Sequence, residues 1–169
     1  MAAGKIVFFL SMKIQLNSLL VGASCALLPA SAFAEVSFLS GVALPNGGEI
    51  ISFAGDSLLS TNSLGGGSAN HSIQAYSLGS NAVLSATSSI NLNSIFGTAA
   101  STLSISSVLN DARGFGVATV IPTATGSTDF GRIAIFNKSN GTILNTLNVG
   151  YHPDSVTITP DGTKLLIAN

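Results

Sequence analysis

The residues best suited to chemistry lie close together near the end of the chain. His152 and Asp154 flank Pro153, and Asp161 follows in the same segment. An imidazole and two carboxylates could ligate a metal ion or act as an acid–base pair. The same residues also suit a structural role, because Pro153 would shape the entry to a strand, Asp154 would accept backbone hydrogen bonds and Asp161 would start an Asp-Gly turn. We favour the structural interpretation and keep His152, Asp154 and Asp161 as weak candidates for a metal site.

Other chemistry-bearing residues give weaker signals. Asp56 and Asp111 are expected in turns comparable to that of Asp161, and His71 on a loop or sheet surface. Arg113 and Arg132 are expected to be solvated cations. No Gly-x-Ser-x-Gly sequence is present, and no Lys-Ser or Lys-Thr follows the three glycines at 65–67, so neither a nucleophile elbow nor a phosphate-binding loop is predicted. The sequence therefore predicts no catalytic and no cofactor-binding residue.

The composition excludes several classes of protein. Only 8% of the 169 residues are charged, with six Lys and Arg against seven Asp and Glu, and hydrophobic residues make up 46%. So few scattered cations cannot form a phosphate-tracking patch, and a nucleic-acid partner is excluded. The single cysteine, Cys25, excludes both a disulfide scaffold and a Cys-based zinc site in an isolated chain.

Residues 1–34 have the pattern of a secretory signal peptide. Lys5 and Lys13 supply a positive region, an apolar core runs over 16–28, and Ala32-Phe33-Ala34 offers a small-x-small cleavage site. Translation could start at Met1 or at Met12, which opens a shorter version of the same signal. A membrane anchor is the alternative, but polar residues and a proline weaken that stretch. The mature chain, 35–169, has no further run of spanning length, so we expect a secreted, periplasmic or cell-surface protein.

The mature chain is predicted to be all-β. Short apolar runs bounded by turn formers are typical of strands, and Asn140-Gly141 and Asp161-Gly162 suit tight turns. The runs that predict strands are 49–53, 57–60, 72–76, 82–84, 116–121, 132–136, 142–144, 155–158 and 164–167.

Two internal repeats organise these strands. Residues 71–84 align without a gap on 131–144, and residues 55–62 align on 162–169. Repeats that each hold four short strands predict β-propeller blades. The predicted fold is a partial β-propeller of two to three blades of four-stranded antiparallel sheet. Blade 1 covers about 47–92, blade 2 about 104–150 and the start of blade 3 152–169, with an insertion over 92–103. Because the pattern stops within a strand at Asn169, we expect a part of a larger protein.

The segment from Leu147 to Asn169 resembles the YVTN (WD40-like) repeat of extracellular bacterial propellers. Its Pro153-Asp154-Ser155-Val156 run, followed by Leu165-Leu166-Ile167-Ala168-Asn169, is more narrowly similar to the choice-of-anchor I family. Residues 48–53 and 131–136 also fit that family, although the acidic loop that usually follows the asparagine is not in this sequence. The resemblance implies a secreted or surface-attached propeller, and relatives joined to phosphatase or nucleotidase modules do not extend that chemistry to these residues.

Two functions remain open. The first is an exported, non-catalytic propeller segment that acts as a binding or cell-surface scaffold module for an unknown protein, glycan or small-molecule ligand. The alternative is part of a propeller hydrolase (lactonase, phytase or phosphoesterase-like) with catalytic residues beyond Asn169 and Ca²⁺ bound only in the full-length parent. Open blade edges also predict self-association, because unpaired backbone groups pair with other chains.

Overall fold

The computed structural model describes residues 49–62, 71–80, 83–93, 95, 103–122 and 130–169, together with the strand backbone of 5–15 and 33–44. Within these residues the chain forms strands and turns and contains no helix. In particular, no described helix is long and apolar enough to cross a membrane. The strands are β1 (Lys5–Gln15), β2 (Phe33–Leu44), β3 (Ile51–Ala54), β4 (Ser57–Asn62), β5 (Ser72–Leu78), β6 (Leu84–Asn91), β7 (Leu103–Asn110), β8 (Phe115–Pro122), β9 (Arg132–Asn137), β10 (Ile143–Asn148), β11 (Ser155–Ile158) and β12 (Leu165–Ala168).

Each sheet pairs consecutive strands in antiparallel fashion. Sheet A contains β3 to β6, sheet B contains β7 to β10, and sheet C contains β11 and β12. A separate hairpin pairs β1 with β2. The all-β class and its four-stranded antiparallel sheets are thereby confirmed, and this is the arrangement that a partial propeller requires.

In sheets A, B and C the first two strands are joined by a turn with a glycine in the left-handed region. These glycines are Gly55, Gly114 and Gly162, with φ of 61°, 100° and 70°. Glycine suits such turns because a residue with a Cβ is strained at positive φ. The Asp-Gly pair at 161–162 thus forms the tight turn that the sequence predicts.

Successive sheets pack on one another in the same way. Strand β7, the first of sheet B, packs against β3 and β4, and β11, the first of sheet C, packs against β7 and β8. Alternate side chains of β8 contribute to both interfaces. Ala118 and Val120 belong to the core shared with sheet A, and Val117 belongs to the core shared with sheet C. Sheet B is therefore buried on both faces, because successive side chains along a strand point to opposite faces of the sheet.

Four strands differ from expectation. Strand β6 runs over Leu84–Asn91, whereas the sequence predicted a strand over 82–84. Strand β7 begins at Leu103, where an insertion is predicted to end. The sequence analysis did not identify it as a strand, because serines separate its apolar side chains. Strand β10 continues to Asn148, beyond the predicted 142–144. Strand β2 spans the predicted cleavage site at Ala34, so cleavage there would remove β1. The apolar core of the leader lies outside the described residues, and the signal peptide stays a prediction.

Candidate functional site

His152 and Asp154 lie in the connection between β10 and β11 and contact each other directly. His152 Nδ1 is 3.0 Å from Asp154 Oδ1, and the two side chains are 72% and 67% exposed. A pair so open to water contributes little to stability, since its attraction is weak in a high dielectric. His152 also has a φ of 53°, which is uncommon for a residue with a side chain. The pair marks a sharp turn at the entry to β11.

Pro153, between them, is buried and fixes this entry. A Cβ built on Gly131 would lie 2.2 Å from Pro153 Cδ, so the glycine is needed for the proline ring to pack there. Ser106 Oγ donates a hydrogen bond to the Pro153 carbonyl, and Asp154 N donates to Ala168 O over 2.9 Å. The Asp154 carboxylate contacts His152, whereas the sequence reasoning expected it to accept backbone hydrogen bonds.

Asp161 is engaged by its own turn. Its Oδ1 accepts hydrogen bonds from Thr159 Oγ1 and, over 3.1 Å, from Thr163 N, while Oδ2 accepts from Thr163 Oγ1 over 2.8 Å. The Thr159 hydroxyl and then the Thr163 donors hold the pKa of Asp161 below its usual range, because they stabilise the carboxylate form. This is the bonding of an Asp that organises a turn.

The structure does not unite the candidates into a metal centre. Within the described residues no group of three or more His, Cys, Asp and Glu side chains is arranged to hold a metal ion. The glycines at 65–67 and Cys25 lie outside those residues. His71 was expected on a loop or surface, but it is buried just before β5, where its backbone N–H donates to Asn93 Oδ1 over 3.0 Å.

Asp161 instead borders a charged groove that the sequence analysis did not identify. The groove has a volume of about 400 Å³ and lies between the β7–β8 and β11–β12 turns. Asp111 and Arg113 form a two-point ion pair there, with Nε to Oδ1 at 2.8 Å and Nη2 to Oδ2 at 2.9 Å. Arg113 Nη1 also donates to Gly162 O over 3.2 Å and so connects sheet B to sheet C. Arg113 is therefore a bonded residue and not the simply solvated cation that was expected.

The ion pair determines the charge state of Asp111. The side-chain hydrogen bond from Arg113 lowers the pKa of Asp111 to about 2, although burial acts in the opposite direction. A carboxyl group with this pKa is ionised at neutral pH and cannot serve as a general acid there. The guanidinium is held in turn by the carboxylate, and it lies 5.1 Å from the centroid of the Phe115 ring.

Lys138 extends this polar cluster towards sheet A. Its Nζ donates to Asn110 Oδ1 and to Asp111 O, both over 2.6 Å. Burial lowers the pKa of Lys138, while the carboxylates of Asp111 and Asp56 oppose that shift. Asn110 Nδ2 continues the chain of contacts by donating to Ser57 O over 2.7 Å. The cluster of Asn110, Asp111, Arg113 and Lys138 thus joins the first turns of all three sheets.

A clue to this cluster was present in the sequence. Charged side chains are scarce in the chain, and Asp111, Arg113 and Lys138 each fall in or beside a predicted turn. Arg132 was likewise expected to be solvated, but its Nε donates to Asn148 Oδ1 over 3.1 Å and its Nη1 to Ile95 O. The arrangement of these groups serves to hold sheets together, since each of the charges named has a partner within the protein.

Comparison with known proteins identifies one family. A family model for the choice-of-anchor I domain matches residues 52–169, which include most of sheet A and all of sheets B and C. No curated protein matches the chain. No solved structure matches it either.

Proposed function

The chain belongs to the choice-of-anchor I domain family, and on that basis we propose that it is an exported, non-catalytic segment of a β-propeller that serves as a binding or cell-surface scaffold module. Membership of a family defined by its anchoring supports a place at the cell surface. The proposed organisation is a signal peptide over 1–34 and propeller sheets over 35–169. The blades would span about 47–92 and 104–150, with a further blade starting at 152.

The repeated packing step is the observation that carries this proposal. The first strand of sheet B packs on the first two strands of sheet A, and the first strand of sheet C packs on the first two of sheet B. A step that repeats between like sheets is what arranges blades around an axis. The aligned segments 71–84 and 131–144 hold the third strands β5 and β9, and the segments 55–62 and 162–169 hold the second strands β4 and β12, which supports one common unit.

The state of the polar residues supports a non-catalytic role. Asp161 is bonded within its turn, Asp111 is paired with Arg113, and Lys138 is bonded to Asn110. A general base needs a lone pair that can reach a substrate and a pKa near the working pH. The pKa of Asp111, about 2, is far from that condition.

Export can be tested by expressing the chain in a bacterial host and measuring the mass of the product in each cell fraction. We expect a periplasmic or secreted protein that begins at Glu35. The matched variant Ala34→Arg should keep the leader and remain membrane-associated, because a large charged residue blocks the small-x-small site. A wild-type chain that stays in the cytoplasm with its leader intact would contradict export.

Catalysis is tested separately on the exported chain. Hydrolysis of a phosphomonoester, of phytate and of a lactone should not exceed the buffer rate, with or without Ca²⁺. The variants Asp161→Asn and Asp154→Asn serve as controls for any signal. Turnover that depends on Ca²⁺ and is lost in either variant would refute the non-catalytic role and favour the propeller hydrolase.

A further inference from the structure

The turn between β9 and β10 contains Asn140 followed by Gly141. Asn140 is exposed to water, and Gly141 has a φ of 74°. Because glycine has no Cβ, its backbone nitrogen is open to close approach by the preceding side chain. The turn therefore combines a side-chain amide that can be attacked, an unhindered main-chain nitrogen beside it, and solvent.

Hydrogen bonds within the turn hold both of these groups. Gly141 N donates to Asn137 O over 3.0 Å, and Thr142 N donates to Asn140 Oδ1 over 3.0 Å. For Gly141 N to attack the Asn140 side chain it must lose the proton that it shares with Asn137 O. The closed turn therefore protects Asn140, and the reaction requires local opening.

Contact with sheet A keeps this turn closed. A Cβ built on Gly141 would lie 2.7 Å from Ser89 O, so the backbone of the turn lies directly against β6. Ser88 Oγ, also on β6, donates a hydrogen bond to Lys138 O. The Lys138 side chain is bonded in turn to Asn110 over 2.6 Å. Opening the turn therefore disturbs the junction between sheets A and B.

We propose that Asn140 is a site of spontaneous deamidation whose rate is set by opening of this turn from sheet A. In the open turn a base removes the proton of Gly141 N, and the nitrogen attacks Asn140 Cγ. A C–N bond forms while the bond from Cγ to Nδ2 breaks, and Nδ2 leaves with a proton as ammonia. Water then opens the succinimide ring to give aspartate or isoaspartate, without any change of oxidation state.

Isoaspartate makes the reaction irreversible for the fold. Its main chain runs through the former side-chain Cγ and is one carbon longer, so the turn cannot restore its close contact with Ser89 O. Deamidation at residue 140 would therefore leave the A–B junction permanently weaker. This inference goes beyond the proposed function and does not depend on export or on the absence of catalysis.

The rate is tested by comparing the folded and the unfolded chain. Purified wild-type chain is kept at neutral pH with and without urea, and peptide mass spectrometry follows the product at residue 140. Deamidation should be slower in the folded chain by about tenfold or more, which corresponds to about 1.4 kcal/mol for opening the turn. Asn145 is the internal reference, because it is exposed but followed by threonine. Equal rates with and without urea, or a folded chain in which Asn140 reacts no faster than Asn145, would overturn the proposal.

A matched pair of serine variants tests the link to sheet A. Ser88→Ala removes the hydrogen bond to Lys138 O and should raise the rate in the folded chain about fivefold, as expected for the loss of about 1 kcal/mol from the closed turn. Ser85→Ala is the control, because Ser85 is exposed near the other end of β6. Far-UV circular dichroism checks that both variants are folded, and their rates in urea should match the wild type. Equal folded rates for the two variants would contradict control by the junction.

The structural consequence is measured on the reacted chain. Ion exchange separates this fraction by its additional negative charge, and an isoaspartyl methyltransferase detects the isoaspartate in it. The fraction should unfold at a lower urea concentration than fresh wild-type chain. Asn140→Asp adds the same charge but keeps the ordinary main chain and the acceptor for Thr142 N, so it should unfold as the wild type does. An isoaspartate fraction as stable as Asn140→Asp would refute the weakening of the junction.

Discussion

Gly116 of β8 is a tightly packed position at the junction between sheets A and B. It pairs across the sheet with Phe136 of β9. A Cβ built on it would lie 2.5 Å from Phe136 Cζ and 2.8 Å from Leu59 Cδ1, both well inside van der Waals contact. Phe136 and Leu59 are fully buried in the core that the two sheets share. The ring therefore lies against the bare backbone of Gly116, and an added methyl group has no room.

We predict that Gly116→Ala lowers the free energy of unfolding by about 1–3 kcal/mol, the usual cost of overpacking a dense core. The matched control is Gly79→Ala, since a Cβ there would meet only Val83 O at 3.5 Å. That control should be neutral or more stable by about 0.4–1 kcal/mol, because alanine restricts the unfolded chain. Urea denaturation followed by circular dichroism measures both variants.

A double variant isolates the physical cause. Phe136→Leu alone removes ring atoms from the core and should be destabilising by about 1 kcal/mol or more. Combined with Gly116→Ala it should cost clearly less than the two single changes added together, because the shorter side chain leaves room for the methyl group. Strict additivity, or equal stability of Gly116→Ala and Gly79→Ala, would refute the packing argument.

Two further predictions concern the charged cluster. The pKa of Asp111 is about 2 in the folded chain, below its ordinary value of 3.8, so its ionised form stabilises the fold above about pH 4 and this contribution is lost as the pH falls towards 2. In urea titrations Asp111→Asn should therefore lose less stability than the wild type between pH 4 and pH 2, and parallel curves would count against the ion pair. Lys138→Met should lower the free energy of unfolding at neutral pH by about 2 kcal/mol, because Asn110 Oδ1 and Asp111 O lose their donor. The exposed control Lys164→Met should change it by under about 0.5 kcal/mol, and equal effects of the two substitutions would contradict a structural role for the half-buried Lys138.

The sheets were predictable where apolar runs and turn residues coincide. Strand β9 and the turn at Asp161-Gly162 follow directly from such local patterns. Strand β7 was missed because serines separate its apolar residues and a bulge between Ile105 and Ser107 breaks the alternation, so that Leu103, Ile105 and Val108 reach one core without a period of two. Burial in that strand depends on a tertiary neighbour, and no window of its own sequence contains that information.

The candidate site was predictable to a smaller extent. That Asp161 organises a turn follows from the residue type and its glycine neighbour. The pairing of Lys138 with Asn110 joins residues on different strands, and the bond from Arg113 to Gly162 joins different sheets. Contacts of this kind depend on how sheets stack, so spacing along the chain could not reveal them.

The distribution of charge follows the way the sheets pack. Asp111, Arg113 and Lys138 lie at the turns, where their hydrogen bonds link neighbouring sheets. The broad faces of the sheets are left to apolar and small polar side chains, which pack by shape and can repeat the same contact at each step. Between neighbouring sheets this contact buries Leu59 and Val117.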